Sequence, residues 1–430
     1  MTRVFGSYRP GSPSPHVVII NDYAHVNGGQ AKVAIESALG LRARGFRVSY
    51  VAGVPPIDPR LVAAGIECVC VGDSDILSDQ NRLRAAGRGI WNRQAAKQLQ
   101  EHLAGLDPSR TVAHLHGWAK ALSPSVGPIL TRSAVPHLYT LHEYFLACPN
   151  GGFYDHRRAE ICTRRPLGAD CLMTNCDPRH AAHKIWRTAR QATLWSLGQM
   201  PGGLKEIIYL LPRQQEIMAP FMPAAARWHH LPNPVDPRPM QRVRAEESKT
   251  FLFIGRLSPE KGALVAAHAA RKADVEIAFA GDGEQMEAVR AANPEARMLG
   301  WLSNDAVAAQ LAQARALVFP SLWYECYPLV IADALRLGVP IIISDSSIAT
   351  GLVGDRVSGL HVPGGDVDAL AAAMRRLLDD TTVRKMSLAA YAAGGELLDL
   401  EDHVDRLVEI YDDVAAASRS HLHLQAGAEG

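Results

Sequence analysis

One loop in the second half of the chain combines two cations with glycine in a pattern that suits phosphate chemistry. The segment Gly255–Gly262 follows a short apolar run and carries Arg256 and Lys261 just before a predicted helix. The N-terminus of a helix offers free N–H groups and a partial positive charge of roughly +0.5. Arginine and lysine add fixed charge to it. The pattern predicts a pyrophosphate site that needs no metal, and a solvated charged loop is the alternative.

Two acids lie eight residues apart further along the chain. Glu325 stands in an aromatic-rich loop after the apolar run 316–319, and Asp333 lies inside the helix that we expect from Pro328 to Gly338. Eight residues make roughly 2.2 helical turns, so the two carboxylates need not meet. One acid can face a reacting centre while the other reaches a different part of an extended ligand. Solvated acids on a loop and a helix are the alternative.

The first half offers histidines and a glycine pair. His116 and His142 each end a predicted strand, where an imidazole could bind a sugar hydroxyl or move a proton. A structural histidine is the alternative for each. Gly28 and Gly29 precede a helix and would let the backbone approach phosphates, although a glycine pair alone is only a turn.

The elements that must position these residues alternate between strand and helix in both halves. Such alternation predicts two parallel α/β sheets, and ligands of such sheets bind at the carboxyl ends of the strands. The first glycine loop lacks the G-x-G-x-x-G spacing, so we do not predict NAD. We predict strands at 16–21, 46–52, 111–116 and 136–142 in the first half, followed by strands or turns at 209–212 and 228–231. In the second half we predict strands at 250–254, 276–279, 316–319 and 341–343.

A proline-rich segment divides the chain, because four prolines in residues 232–240 exclude a helix and a central strand. Two α/β halves joined there would face each other across a cleft. We predict a disordered leader (1–15), an N-terminal Rossmann-like domain (16–232) with a Cys-rich insertion (148–176), a hinge (233–240), a C-terminal Rossmann-like domain (241–397), a closing helix that returns to the first domain (398–418) and a loose tail (419–430).

The composition excludes several classes of protein. The chain has 430 residues, a net charge of +1, 47% hydrophobic and 21% charged residues, as is ordinary for a globular enzyme. A net charge this close to zero gives no overall electrostatic field that would attract nucleic acid. No segment approaches the ~20 apolar residues of a membrane span, and the first fifteen residues lack the apolar core of a signal peptide. We therefore expect a cytoplasmic protein.

Four of the seven cysteines, Cys148, Cys162, Cys171 and Cys176, fall within 29 residues. They lack a Cys-x2-Cys knuckle, but clustered thiols in a reducing compartment favour structural zinc over disulfides. Unliganded buried thiols are the third possibility.

A basic helix follows the cysteines, at 182–200. Its cations could rest on the anionic inner face of a membrane. The alternative is an exposed helix whose tryptophans pack inward.

Taken together, the motifs of the second half resemble those of the retaining glycosyltransferases of family 4, the glycosyl transferases group 1, which have the GT-B fold. The motifs are Gly-Arg-Leu-x-x-x-Lys-Gly at Gly255–Gly262, Ala-Gly-Asp-Gly at Ala280–Gly283, Leu-Gly-Trp-Leu at Leu299–Leu302 and Phe-Pro-Ser-x-x-Tyr-Glu-x-Tyr-Pro-Leu-x-x-x-Asp-Ala from Phe319. The resemblance implies a UDP- or GDP-sugar donor, a glycan, lipid-linked or small-molecule hydroxyl acceptor, retention of anomeric configuration, and no cofactor for catalysis.

The resemblance also implies roles for single residues. Glu325 would lie beside the transferred sugar and His142 would contact that sugar, which makes these two the expected catalytic residues. The expected donor-binding residues are Gly28, Gly29, Arg256, Lys261, Tyr327, Pro328, Leu329 and Asp333, with the nucleotide ribose held by Asp333.

Three positions depart from the family pattern. Asp333 is shorter than the usual glutamate, Cys326 replaces a usual glycine, and Gly351 replaces a common glutamate. Two other functions therefore stay open, a nucleotide-sugar epimerase of similar fold and a catalytically silent nucleotide-sugar-binding protein.

Overall fold

The computed structural model describes residues 15–235 and 241–428, the last ten of these by their backbone only. The expected leader (1–15), except for Pro15, and residues 236–240 of the expected hinge lie outside the described residues. Two α/β units follow each other along the chain, and each is built on a parallel sheet. The two facing Rossmann-like domains predicted from the sequence are therefore present.

Within residues 15–235, seven parallel strands form the first sheet in the order β3-β2-β1-β4-β5-β8-β9. The central strand β1 is buried along nearly its whole length, as expected of an apolar run in a sheet covered on both faces. A two-stranded hairpin, β6 and β7, lies in the Cys-rich insertion. The strands are β1 (His16–Tyr23), β2 (Arg47–Val54), β3 (Glu67–Cys70), β4 (Thr111–Leu115), β5 (His137–Thr140), β6 (Tyr154–Asp155), β7 (Glu160–Ile161), β8 (Glu206–Tyr209) and β9 (Arg227–His230).

Within residues 241–428, six parallel strands form the second sheet in the order β12-β11-β10-β13-β14-β15. Counted from β10, this is the 3-2-1-4-5-6 order of a Rossmann domain, whose ligand site lies where the order reverses, between the first and fourth strands. The strands are β10 (Phe251–Ile254), β11 (Ile277–Ala280), β12 (Arg297–Gly300), β13 (Ala316–Phe319), β14 (Ile341–Ser344) and β15 (Gly359–Val362).

Helices connect the strands, and several begin at side chains that cap free N–H groups. Asn92 accepts a hydrogen bond from Ala95 N at the start of α4, and Asp366 does the same for α13. The helices of the first unit are α1 (Gly29–Ala43), α2 (Pro59–Ala63), α3 (Arg82–Ile90), α4 (Arg93–Ala104), α5 (Gly127–Thr131), α6 (Ala169–Met173), α7 (Ala181–Trp195) and α8 (Pro212–Met218). Those that follow are α9 (Ala263–Ala273), α10 (Met286–Ala292), α11 (Asn304–Leu311), α12 (Leu329–Leu337), α13 (Val367–Arg376), α14 (Asp380–Gly395) and α15 (Leu400–Ala428).

The last helix, α15, returns to the first domain, as the sequence predicts. Val404, Leu407 and Tyr411 are buried in one apolar cluster with Val17 and Ile19 of β1. The Tyr411 hydroxyl also lies 2.9 Å from His114 Nδ1 of β4. The backbone of α15 continues to Ala428, through residues that the sequence predicts as a loose tail.

Several predicted bounds differ from the observed ones. The strand predicted at 209–212 lies three residues earlier, because Pro212 begins α8 instead. The basic helix predicted to residue 200 ends at Trp195. Pro328 is the residue before α12 and not its first residue, a shift of one position that lies within the usual uncertainty of helix ends.

Candidate active site

The candidate site lies where the loops after β10 and β13 meet. The two strands are neighbours, so their carboxyl ends bring residues 255–262 and 320–328 to one edge of the sheet. Gly262 permits the close approach. It has φ +70°, and a Cβ added to it would lie 2.2 Å from the Pro320 carbonyl oxygen. Only glycine fits there, which explains the glycine that follows Lys261.

Lys261 and Glu325 form an ion pair at this junction. Lys261 Nζ lies 2.5 Å from Glu325 Oε1, and the two side chains are 20% and 11% exposed. The same carboxylate oxygen accepts hydrogen bonds from Ser321 Oγ at 2.8 Å and from Trp323 Nε1 at 3.0 Å. Burial acts to raise the pKa of Glu325, but Lys261 and the two neutral donors outweigh it and lower the pKa below its usual value. Glu325 is therefore held ionised and in a fixed position.

Arg256 stands in the same loop as Lys261 and is more exposed. Its guanidinium is 62% exposed and lies 3.6 Å from Glu260 Oε1. Glu260 is itself buried, and its backbone carbonyl accepts the N–H of Leu322 at 2.8 Å. The loop that carries Arg256 and Lys261 is thus hydrogen-bonded to the loop that carries Glu325. The three charged residues expected to act together lie in one region.

The expected donor-binding residues of α12 lie directly after Glu325. Tyr327 and Pro328 are buried, Leu329 begins the helix, and Asp333 is half-buried one turn further on. The glycine loop of the first domain faces this helix start, since a Cβ on Gly29 would lie 3.5 Å from a methyl carbon of Leu329.

Gly28 precedes α1 with φ +87°, a conformation that favours glycine. Cys326, by contrast, has no positive φ, so the glycine usual at its position is not needed for the backbone here.

His142 and His116 end neighbouring strands and contact each other. His116 Nδ1 lies 3.0 Å from His142 Nε2, and both rings are buried. Burial lowers the pKa of His142 to about 3 and the pKa of His116 well below its usual value. Both imidazoles are therefore neutral near pH 7, so His142 can serve as a hydrogen-bonding group but not as a standing cation.

The first domain reaches the Glu325 loop through aromatic contacts. The rings of Tyr144 and Tyr324 lie 6.3 Å apart. A Cβ on Gly152 would lie 2.8 Å from a ring carbon of Trp323, so the insertion closes tightly on this loop. Arg213, from α8, lies 5.8 Å from the Tyr324 ring. The candidate site therefore lies in the cleft between the two units.

Three residues of this region were missed by the sequence reasoning. Ser321 and Trp323 bind the carboxylate of Glu325, and both stand in the motif that carries it, so their polar hydrogens were a usable signal. Asp22 accepts the N–H groups of Lys120, Ala121 and Leu122 at 2.9, 2.7 and 3.0 Å. It fixes the loop after β4, and no local pattern reveals a contact across about 100 residues.

The four clustered cysteines do not form a metal site in the part of the chain that the structure describes. No group of three or more histidine, cysteine or acidic side chains there could hold a metal ion, so the zinc expectation for Cys148, Cys162, Cys171 and Cys176 is not supported. The physical reason is Lys184, whose buried ammonium lies 3.4 Å from the sulfurs of both Cys171 and Cys176. A cation already stands where a metal would bind, and the cysteines are free thiols.

The basic helix α7 packs into the protein. Lys184 and Arg190 are 4% and 2% exposed, and Trp186 Nε1 donates to the Ala86 carbonyl at 3.0 Å. The cations on which the membrane hypothesis depended are therefore largely inside. None of the helices described here combines the length and apolar character needed to cross a bilayer.

Comparison with known proteins agrees with this geometry. The profile of the family described as Glycosyl transferases group 1 matches residues 238–393, the region that contains Arg256, Lys261 and Glu325. The phosphatidyl-myo-inositol mannosyltransferase of Mycolicibacterium smegmatis is 28% identical over 201 residues, 44% of this chain and 52% of that protein. The UDP-Gal:alpha-D-GlcNAc-diphosphoundecaprenol alpha-1,3-galactosyltransferase of Escherichia coli is 30% identical over 181 residues, 39% of this chain and 46% of that protein. The chain thus spans about half the length of the curated relatives it matches.

Solved structures extend the likeness of the fold to nearly the whole chain. Sucrose-phosphate synthase from Thermosynechococcus elongatus matches with a TM-score of 0.67 at 16% identity, and the match covers 94% of this chain and 100% of the synthase chain. Anabaena HepE in complex with UDP and glucose has a TM-score of 0.63 at 14% identity, with 93% and 100% covered. The chain therefore adopts the GT-B fold, and residues 238–393 of its second domain match the glycosyl transferases group 1 family.

Proposed function

We propose that the chain is a retaining glycosyltransferase that moves a hexose from a nucleotide-sugar to a hydroxyl acceptor. The observation that carries the proposal is the Lys261–Glu325 ion pair at 2.5 Å, inside the region matched by the family and at the edge of the inter-domain cleft. A carboxylate held ionised in a largely buried position suits the positive charge that develops on a sugar as its bond to phosphate breaks.

In this proposal the second domain (241–397) binds the donor. Arg256 and Lys261 hold the diphosphate, and the backbone N–H groups of Tyr327 and Leu329 contact donor oxygens, with Pro328 directing the chain between them. Asp333 binds the ribose. Gly28 and Gly29 approach the same region from the first domain, which is supported by the contact of Gly29 with Leu329.

A UDP- or GDP-sugar is the proposed donor. Similar proteins support this class, among them the GDP-mannose-dependent alpha-mannosyltransferase of Corynebacterium glutamicum and the galactosyltransferase named above, and the structure of HepE is a complex with UDP and glucose.

The reaction breaks the bond between the anomeric carbon and the donor phosphate. The acceptor oxygen attacks the same face of the sugar, and its proton goes to the leaving phosphate oxygen. Arg256, Lys261 and the start of α12 stabilise the negative charge that grows on the leaving diphosphate. Neutral His142 donates or accepts one hydrogen bond to a sugar hydroxyl and carries no charge in the step.

The first domain (16–232) binds the acceptor, and the segment 233–240 acts as the hinge that closes the cleft and excludes water. Arg213 already reaches across this cleft, since it donates to the Asp345 carbonyl at 2.9 Å. The cytoplasmic location expected from the sequence stays a prediction, as does contact with a membrane.

One set of incubations tests the proposal against its alternatives. With UDP- and GDP-hexoses alone, a transferase gives only slow hydrolysis, whereas an epimerase converts the donor to its epimer. With glycan, lipid-linked and small-molecule acceptors, a transferase gives a glycoside whose anomeric configuration, read by NMR, matches that of the donor. Nucleotide binding without turnover in any mixture would favour the silent binding protein, and inversion would overturn the retaining assignment.

A further inference from the structure

A second charged cavity adjoins the candidate active site. Its volume is about 440 Å³, and it lies between the first domain and the loop that carries Arg256. Five cationic side chains line it against two carboxylates, Glu260 and Glu284. Four of these cations, Lys120, Arg179, Arg187 and Arg190, belong to the first domain, and we call the cavity the basic pocket.

The cations of the basic pocket are held in place by the fold. Arg190 is 2% exposed, donates to the Ala119 carbonyl at 2.9 Å and lies 4.7 Å from the centre of the Phe145 ring. Lys120 Nζ lies over the same ring at 5.6 Å. Arg187 Nε forms an ion pair with Oδ2 of buried Asp177 at 3.0 Å, which holds its guanidinium at the wall. Such rigid groups lose little freedom when an anion binds.

Two of these cations lack a local counter-charge. Among the residues that the structure describes, neither Lys120 nor Arg190 has a carboxylate within ion-pair distance. Asp22 and Glu143 act on these cations from beyond that distance, and burial raises the pKa of both carboxyls, which weakens them as counter-ions. Two like charges over one ring are costly to bury unless an anion balances them.

The basic pocket is also close to the proposed reaction centre. Glu260 lines the pocket, while its backbone carbonyl accepts the N–H of Leu322 and the hydroxyl of Ser321. Ser321 in turn donates to Glu325. A ligand in the pocket would therefore contact Glu260, which precedes Lys261 in the chain and is linked to Glu325 through Ser321.

We propose that the basic pocket binds a phosphate group carried by the acceptor, so that the acceptor is a phosphate ester rather than a neutral sugar. That this ligand is the acceptor rests on the proposed function, whereas the binding of an anion in the pocket does not. The donor diphosphate is assigned to Arg256 and Lys261. This leaves Lys120 and Arg190 for a second anion, together with Arg179 and Arg187, which share the single carboxylate of Asp177. Phe145 and Trp186, which line the same cavity, offer apolar walls to the remainder of the ester.

The test uses the full chain and two successive titrations. Thermal shift with UDP, GDP and ADP first finds the stabilising nucleotide, which reports on the donor site. Inorganic phosphate, glucose 6-phosphate and vesicles of phosphatidylglycerol are then added to the nucleotide-saturated protein. Potassium chloride of equal ionic strength, glucose and phosphatidylcholine vesicles are the respective controls. The two phosphate sources, a free ester and a lipid headgroup, are thus read separately.

We expect at least one phosphate probe to raise the melting temperature beyond its control. Lys120→Ala and Arg179→Ala should each weaken that probe by about tenfold to hundredfold, the usual value of one charge-assisted hydrogen bond, and leave nucleotide binding unchanged. Lys97→Ala is the matched control, since Lys97 is an exposed cation of the same domain outside the pocket, 74% exposed. Lys261→Ala should weaken the nucleotide and spare the phosphate probe.

The outcomes separate the two proposals. If a nucleotide raises the melting temperature but no phosphate probe does so beyond its control, the basic pocket is overturned and the proposed function is not. The same holds if a phosphate probe raises the melting temperature and Lys120→Ala and Arg179→Ala both leave that increase intact. A phosphate shift that these variants abolish, in a chain that no nucleotide stabilises, supports the anion site and removes the donor assignment.

Discussion

Replacing Glu325 by glutamine tests the candidate site with little change in shape. The variant keeps an oxygen that can accept from Ser321 and Trp323 but removes the partner charge of Lys261. The pair is 20% and 11% exposed, which places it between exposed ion pairs and fully buried ones. Exposed pairs contribute about 0–1 kcal/mol and breaking buried pairs costs about 3–5 kcal/mol, so we expect a loss of about 2 kcal/mol. In a domain of this size that lowers Tm by about 4–8 °C.

The loss of activity should be much larger than the loss of stability. Removing one preorganised electrostatic group from an active site commonly lowers kcat by about 10²–10³-fold. We expect Glu325→Gln to lower kcat at least about a hundredfold while the KM for the donor changes by less than about threefold. Release of nucleoside diphosphate, measured with and without acceptor at a temperature well below Tm, gives both constants.

A matched control separates the site from general charge loss. Glu287→Gln removes an acid of the same domain that pairs with Arg290 at 2.9 Å but is 79% exposed, and it should leave kcat and Tm unchanged. The reasoning would be refuted if kcat of Glu325→Gln stayed within threefold of the parent. It would also be refuted if the loss of kcat were no larger than the fraction of enzyme that is unfolded at the assay temperature.

Four further predictions follow from the geometry. Because the pKa of Glu325 is lowered on folding, the stability that its charge contributes is present above its unfolded pKa of about 4.3 and is lost as pH falls; the urea stability of the parent should exceed that of Glu325→Gln at pH 7 and approach it near pH 3. His142→Ala should lower kcat/KM by about tenfold without changing the pH profile between pH 5 and 8, because the pKa of His142 is about 3 and its role is one hydrogen bond. Asp22→Ala leaves three N–H groups without their carboxylate acceptor and should lower the free energy of unfolding by about 3 kcal/mol, read by urea titration. Since Lys184 stands between two cysteine sulfurs, metal analysis should find fewer than about one zinc in two chains, and a chelator should leave Tm unchanged.

The parallel strands were largely predictable because their signals are local. The run Ala316–Phe319 was predicted with its observed bounds, as an apolar segment of strand length between polar loops. Strands β3, β12 and β15 were missed because they are short and begin or end with residues such as Glu67, Arg297 and Gly359. Their pairing comes from neighbours already in the sheet, which no short window of sequence reports.

The meeting of Lys261 with Glu325 was predictable for a topological reason. Both residues follow strands that end at the carboxyl edge of the second sheet, and the Rossmann order makes those strands neighbours. The motif that carries Glu325 also contains Trp323, but the sequence does not report that this ring packs against Gly152 of the other domain while its N–H donates to Glu325.

The zinc hypothesis failed for the opposite reason. Cysteine spacing describes only the possible ligands, and it cannot report that the side chain of Lys184, from the following helix, fills the space between two of them.

In the function proposed above, Lys261 would serve both an acid and a phosphate, and the arrangement around Glu325 is compatible with this. Lys261 has a flexible four-carbon stem, so its ammonium can turn toward a diphosphate bound beside it. Glu325 does not depend on that ammonium alone, since Ser321 and Trp323 still donate to its carboxylate from the same loop. Two neutral donors keep the acid in position while its cationic partner moves, which leaves the negative charge of Glu325 free to face the sugar. Removing both donors together, rather than Lys261, would therefore be the change that lets this carboxylate leave its place.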